Sequence, residues 1–440
     1  MYNKHIKIVF FFIFLTPISN AQIVFKSLGD VWKYADENNI NIKSAVYDLR
    51  KSAASQKQSI SNFLPQIVAN VTYTNNTALQ TTLIPAAIFN GPEGQYKAVQ
   101  FGQKYIYNGG ITAQMDIVNI QTWFNAELAK QNKELSKDSL ANTRRTIFQQ
   151  TATQYYNYLL MQIAAELAEK SVAISDSVFT SISYKYKEGL VNVANVDMAK
   201  MNLMRAKQTA ITSQYQMITA KNNLKSLLNI SLNDSLIIKD GIETNFELLP
   251  EAAFAEDPTV TIAKQQTIIS HCQYKITNSS YLPTLSILYS NSTQQNDNVY
   301  EPFKSDGPKW FPATYWTLKA SWNLFSGGTK WFQTEKSKIA EEQKKELFEN
   351  TQKQVAINDE NLKIAYKKAV ALMNNTKEVM DLSFDNYNHI SNRYFSGIAT
   401  LEDRLNSFSD YIIYQNQYLN SLSDMLVQLY MIKIRQQSFR

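Results

Sequence analysis

Two stretches of the chain, Trp123 to Glu188 and Trp331 to Ser396, contain no Pro and no Gly. Apolar residues recur at helical spacing within and beyond them. Tyr155, Leu159, Ile163 and Leu167 step by four, and Leu401, Leu405, Phe408 and Ile412 step by four and three. Residues so spaced share one face of a helix. A helix over either stretch would be a rod of roughly 100 Å at 1.5 Å per residue, too long for the interior of a globule. Rods with Gln, Asn and Lys on their other faces are expected to associate along their length, as coiled coils do.

A different period governs Ala313 to Phe325. Thr314, Trp316, Leu318, Ala320, Trp322 and Leu324 alternate with Tyr315, Thr317, Lys319, Ser321, Asn323 and Phe325, the pattern of a strand with one apolar face. A soluble sheet buried on one side gives the same alternation.

The chain is written twice. Phe63-Leu64-Pro65-Gln66-Ile67 returns as Tyr281-Leu282-Pro283-Thr284-Leu285, Trp123-Phe124 as Trp331-Phe332, and Tyr186-Lys187-Glu188-Gly189-Leu190 as Tyr394-Phe395-Ser396-Gly397-Ile398. Residues 123 and 331 are 208 positions apart, as are 189 and 397, whereas 64 and 282 are 218 apart. The extra length therefore falls in the strand-and-loop region, where loops absorb length changes.

Each copy is expected to run helix, strand, loop, strand, long helix, Gly turn, return helix. The first copy, 22–228, divides into an opening helix from Asp30 to Asn62, strands 66–76 and 96–118 around a loop, a long helix 123–188 and a return helix 192–228. Residues 229–257, with Gly241 and Pro250, read as a connector. The second copy, 258–440, divides into a helix 258–280, strands 284–294 and 313–325 around a loop, a long helix 331–396 and a return helix 400–435.

Composition sharpens this picture. Gly and Pro make 22 of 440 residues, about 5% against an average of about 12%, which favours long uninterrupted helices. Residues 1–21 read as a secretory signal: Lys4 and Lys7, the apolar run Ile8 to Ile18, then Ser19-Asn20-Ala21 as a small-residue cleavage site. That apolar run is too short for a helix that spans a membrane with about 20 residues. Loss of Lys4 and Lys7 lowers the formal charge from +6 to +4, with no basic block, so nucleic acid is not an expected partner. Cys272 is the single cysteine, which excludes an intramolecular disulfide and a thiolate metal cluster. His271 and His389 read as polar helix positions, so no metal or other cofactor is expected. With no phosphate loop and no nucleophile beside a base, an enzyme is not expected either.

Strands of about ten residues with aromatic residues near their ends, behind a secretion signal, fit a membrane β-barrel. Four strands per chain are too few to close one, since single-chain bacterial barrels start at eight and an open edge in lipid leaves backbone groups unpaired. Two chains would give eight strands and three would give twelve. A secreted structural or adhesive coiled-coil protein with a small soluble sheet is the alternative the residues leave open.

Leu64-Pro65, Leu282-Pro283, Leu324-Phe325-Ser326-Gly327-Gly328 and the turns ending in Gly189 and Gly397, in this order and twice, resemble the TolC-like outer-membrane efflux protein family. The resemblance covers nearly all of the chain after the signal. It implies a mainly α fold with membrane strands: a homotrimer with a shared twelve-stranded β-barrel in outer-membrane lipid and a coiled-coil-like α-barrel in the periplasm. It further implies a passive export duct of a tripartite efflux or type I secretion system, served by a periplasmic adaptor and an inner-membrane pump. Family members dock the adaptor at the tip turns, which here are Gly189-Leu190 and Gly397-Ile398. Their entrance is lined by acids, a region that here holds Glu402, Asp403 and Asn406, with Asp403 on one family acidic position and Asn406 on the other. An Arg and an Asp that fasten the tip in some members are replaced by Ala399 and Asn195, while Tyr394 is retained. Closure is then expected to rest on packing and neutral hydrogen bonds such as Tyr394 with Asn195.

Overall fold

The computed structural model describes residues 22–240, 253–300 and 310–439; the signal segment and parts of the connector and of the second loop lie outside them. The chain forms two compact units. One comprises residues to Tyr47, Ser139–Thr259 and from Gln352 onward, and the other Asp48–Asp138 and Val260–Thr351.

The second unit carries a four-stranded antiparallel sheet. Its strands are β2 (Gln66–Asn75), β5 (Tyr105–Val118), β7 (Thr284–Asp297) and β8 (Phe311–Ser321), in the spatial order β2-β5-β7-β8. Register sets the faces, because side chains alternate along each strand and paired residues share a side. Ile67, Ala113, Tyr289 and Trp316 stand in one row. The same face holds Val71, Ile111, Met115, Ile287 and Leu318. The opposite face holds Asn70, Thr72, Asn108, Thr112, Ser290, Ser292, Thr317 and Lys319. Among the described residues β2 and β8 each have a strand partner on one side only, so both outer edges present unpaired backbone groups there.

Two expectations for this region are corrected. The strand expected over 96–118 is two strands, β4 (Tyr96–Gln100) and β5, and the loop before it contains β3 (Thr81–Pro85), which forms a hairpin with β4. The break has a cause: the carbonyls of Gln103 and Lys104 accept from the side chain and backbone of Asn76, and Lys104 N–H donates to Asn298 Oδ1. The last strand begins and ends earlier than 313–325. Past Ser321 the indole of Trp322 donates to Tyr281 O at 2.9 Å, and the chain turns toward the next helix.

The opening helix is also two helices, α1 (Leu28–Asn38) and α2 (Ile40–Ser61). Asn39, extended at φ −62° and ψ 131°, separates them. Its Oδ1 accepts from the N–H groups of Asn41 and Ile42, capping α2, while its Nδ2 donates to Leu227 O at 2.7 Å. The long helices are α3 (Ile120–Lys187) and α6 (Thr329–Phe395), of 68 and 67 residues. Their return helices are α4 (Val193–Leu227) and α7 (Leu401–Gln436), and α5 (Pro258–Ser279) precedes β7. The connector holds β6 (Ser235–Ile238), which pairs in parallel with β1 (Gln22–Phe25). No periodic signal in four residues announces such a strand.

In the helical unit, α1 is held by aromatic packing. Trp32 stacks on Phe148 at 5.4 Å, meets Tyr430 edge-on at 5.9 Å, and donates its indole N–H to Phe148 O. A buried charge cluster ties the end of the connector to three long helices. Asp257 pairs with Arg145 of α3 and lies 3.5 Å from Arg435 of α7, whose guanidinium grips Asp359 of α6 at 2.7 and 2.9 Å. Arg435 also donates to Ala255 O. Burial pushes the Asp257 carboxyl up, but the hydroxyl and amide of Thr259 and the Arg145 guanidinium outweigh it and hold the group below the usual carboxylate range.

A depressed carboxyl stabilises the fold above its unfolded pKa of about 4, and that stability is lost as pH falls through the native value. Asp257→Asn should therefore flatten the acid side of the melting-temperature profile. At neutral pH it should destabilise the helical unit by about 3–5 kcal/mol, because a buried cation loses its partner. Thermal melts followed by circular dichroism at pH 3–7 measure both effects.

Candidate functional site

Both long helices end in the same way. Gly189 N–H donates to Tyr186 O and Leu190 N–H to Lys185 O, each at 2.9 Å; Gly397 N–H donates to Tyr394 O at 3.0 Å and Ile398 N–H to Arg393 O at 2.8 Å. These are paired Schellman closures. They require the left-handed φ of +72° at Gly189 and +75° at Gly397. A Cβ would meet nothing within 4 Å at either position, so glycine is needed for its backbone angle and not for space. The residue after each glycine is thrown outward: Leu190 is 71% exposed and Ile398 67%.

The return helices start with side-chain caps. Asn192 Oδ1 accepts from Asn195 N–H at 3.0 Å, opening α4. Thr400 opens α7 with a reciprocal box: its hydroxyl oxygen accepts from Asp403 N–H at 3.0 Å, while Asp403 Oδ2 accepts from the Thr400 N–H at 3.0 Å and hydroxyl at 2.7 Å. Those hydrogen bonds, the hydroxyl first, then the amide, hold the Asp403 carboxyl below its usual range, and the Arg393 charge adds to the effect. Behind the turns lies a small apolar core of Val178, Ile182, Ala199, Leu401 and Leu405, with Tyr394 packed against it.

Tyr394 is not joined to Asn195 by a hydrogen bond among the described residues. Instead its ring makes contacts with two cations, 5.4 Å from Lys185 Nζ at the end of α3 and 5.4 Å from Arg404 Cζ in α7. Arg404 also covers Phe395 at 4.9 Å and donates to Ser391 Oγ at 3.3 Å. The expected neutral hydrogen bond is thus replaced by a ring in contact with two charges that ties the ends of three helices together. Glu402 and Asn406 are exposed, one turn apart on α7, and Asp403 is exposed beside them.

Thr400, Lys185 and Arg404 were not singled out from the sequence. Thr-x-x-Asp ahead of an apolar run was a legible cap, whereas the two cations belong to segments more than 200 positions apart and carried no signal.

Away from these turns, apolar helix faces are exposed among the described residues. Met201, Met204, Ile211, Tyr215 and Ile218 of α4 are exposed and repeat by three, seven, four and three, a coiled-coil seam. Ile357, Ile364 and Leu372 form a similar exposed row on α6. No helix among the described residues is long and apolar enough to cross a membrane, and none of them form a group fit to hold a metal ion.

The family model described as outer membrane efflux protein matches residues 32–229. Over 204 residues the chain is 21% identical to toxin and drug export protein A of Aggregatibacter actinomycetemcomitans, covering 42% of this chain and 44% of that one. The chain aligns with less than half the length of its sequence relatives. Its fold is similar to the outer membrane protein VceC of Vibrio cholerae, with a TM-score of 0.75, 15% identity and coverage of 94% of this chain and 97% of that one. It is likewise similar to the open state of the Neisseria gonorrhoeae MtrE outer membrane channel, with a TM-score of 0.74, 16% identity and coverage of 93% and 88%.

If the ring of Tyr394 holds the tip, Tyr394→Phe should leave amide exchange over residues 398–406 unchanged. Tyr394→Leu should speed it about fivefold, the equivalent of ~1 kcal/mol for a lost cation–ring contact. Hydrogen–deuterium exchange with mass spectrometry reads both variants.

Proposed function

We propose that the chain belongs to the outer membrane efflux protein family, whose model matches residues 32–229, and that three copies form a passive export duct across the outer membrane. The observation that carries this reading is the open sheet, apolar on one face, polar on the other and unpaired at both edges. In lipid every backbone group must find a partner within protein, so β8 of one copy pairs with β2 of the next and three copies close a twelve-stranded barrel. The apolar face then meets hydrocarbon and the polar face lines the lumen. The exposed seams of α4 and α6 pack between copies in the periplasm.

The tip performs two tasks in this reading. Leu190 and Ile398, held outward by the glycine closures, are the apolar contacts for a periplasmic adaptor that links the duct to an inner-membrane pump. Glu402, Asp403 and Asn406 line the entrance, where three copies of an ionised carboxylate favour cations. Tyr394, in contact with Lys185 and Arg404, holds the entrance closed without an ionic latch.

Purified protein in detergent should have the mass of three chains by light scattering and conduct in planar bilayers; a monomer without conductance would overturn the reading. Asp403→Asn keeps an oxygen for the Thr400 cap and removes the charge, so cation preference in a salt gradient should fall toward neutrality. An unchanged reversal potential sinks the entrance role. Leu190→Asp and Ile398→Asp should leave the trimer intact and abolish cross-linking to the adaptor.

A further inference from the structure

The apolar face of the sheet is not uniformly apolar. In the row Ala69, Ile111, Asn291 and Thr314, the β2 and β5 residues are apolar and the β7 and β8 residues are polar. In the next row toward the loops, Val71 and Gly109 stand against a polar Thr293 on β7, with Pro312 on β8. In a bilayer lying level with these rows, Asn291, Thr293 and Thr314 would face hydrocarbon. We infer that the lipid-facing band instead runs diagonally across each chain's sheet, and that these three residues meet the polar headgroups of the leaflet at the loop end. The inference rests on the barrel reading above.

The duplication supplies an independent measure of that diagonal. Leu64-Pro65 and Leu282-Pro283 open equivalent strands 218 positions apart, so Tyr289 is the counterpart of Val71 and Asn291 that of Tyr73. Counterparts arranged around one barrel axis lie at equal depth. Yet Tyr289 stands in register, through Ala113, with Ile67, four residues before Val71 on β2. Crossing two strands therefore goes with a slide of four residues. That slide is about 14 Å against about 9.6 Å for two interstrand spacings. The resulting tilt is about 55°, in the same sense as and somewhat steeper than the roughly 35–45° of membrane barrels.

On that tilt Asn291 lies at the depth of Tyr73, and Thr314, one strand further on, lies nearer the loop end. Tyr73 belongs to a cluster with Tyr107 at 5.3 Å, Tyr105 at 6.3 Å and Tyr300 at 5.9 Å. Tyrosines gather where hydrocarbon gives way to headgroups. The polar residues thus begin where the tyrosines mark the interface, and Asn291 Nδ2 donates to Thr314 Oγ1 at 2.8 Å, leaving its second hydrogen and the Thr314 hydroxyl to donate to headgroup oxygens.

Single cysteines at Asn291, Thr314, Ile111 and Leu318 test the band, because native Cys272 is only 5% exposed and gives little background. The full-length protein is reconstituted in vesicles of phosphatidylcholine and phosphatidylglycerol and treated with a water-soluble maleimide. Asn291→Cys and Thr314→Cys should react at least ~10-fold faster than Ile111→Cys and Leu318→Cys, since only hydrocarbon shuts out the reagent. Equal protection at all four sites overturns the diagonal band while leaving the barrel standing. Rates at Ile111→Cys and Leu318→Cys as fast as at Tyr96→Cys in the loop hairpin overturn the barrel itself. Should a variant at Asn291 fail to assemble, Thr293→Cys, on the same strand and face, gives the same reading.

Discussion

Unpaired backbone at the two edges of one small sheet governs the rest of this structure. β2 and β8 each offer a row of N–H and C=O groups with no strand partner among the described residues. In water such edges invite aggregation, and in hydrocarbon they are not tolerated. Four strands cannot curl into a barrel by themselves, so in the proposed duct the edges are satisfied by other copies. In that reading the apolar face meets hydrocarbon and the polar face lines the interior.

The same requirement explains the helices. If strands of one copy pair with those of the next, the long helices that leave them also pack between copies, and the seams on α4 and α6 are apolar and exposed among the described residues. Their ends must be finished without help from a core. Glycine closures satisfy the last carbonyls of α3 and α6, and the Asn192 and Thr400 caps satisfy the first amides of α4 and α7. Midway, the Arg145–Asp257–Arg435–Asp359 cluster fixes the connector to helices of both copies of the duplication. It is charged and buried, so its worth lies in geometry, because breaking a buried pair is more damaging than forming it is stabilising.

What could be read from the sequence follows the range of the signal. The long helices lack Pro and Gly and carry a 3.6-residue period, and β8 alternates cleanly, so local patterns were enough to place them. The Asn39 break was hidden because asparagine inside a helical pattern is only mildly unfavourable; what ends α1 is the distant carbonyl of Leu227. The parallel pair β1 and β6 joins segments some 200 positions apart in four residues each, below any periodic signal. At the tip, Gly189, Gly397 and Asp403 were legible from motif and position. The setting of Tyr394 was not, because the cations that contact its ring come from two other helices.

Asp403 shows how a residue can serve the fold and the proposed entrance at once. One of its oxygens, Oδ2, is taken by the amide and hydroxyl of Thr400, which at first sight makes the side chain merely structural. Both partners donate hydrogen to a carboxylate and favour its ionised form, so the cap that occupies Oδ2 also keeps the group charged. Among the described residues Oδ1 takes no hydrogen bond and remains exposed to solvent. An acid used to attract cations needs a fixed position and a charge that persists at low pH. The cap supplies both, and in doing so offsets part of what is lost where Asn406 stands in place of a second acid.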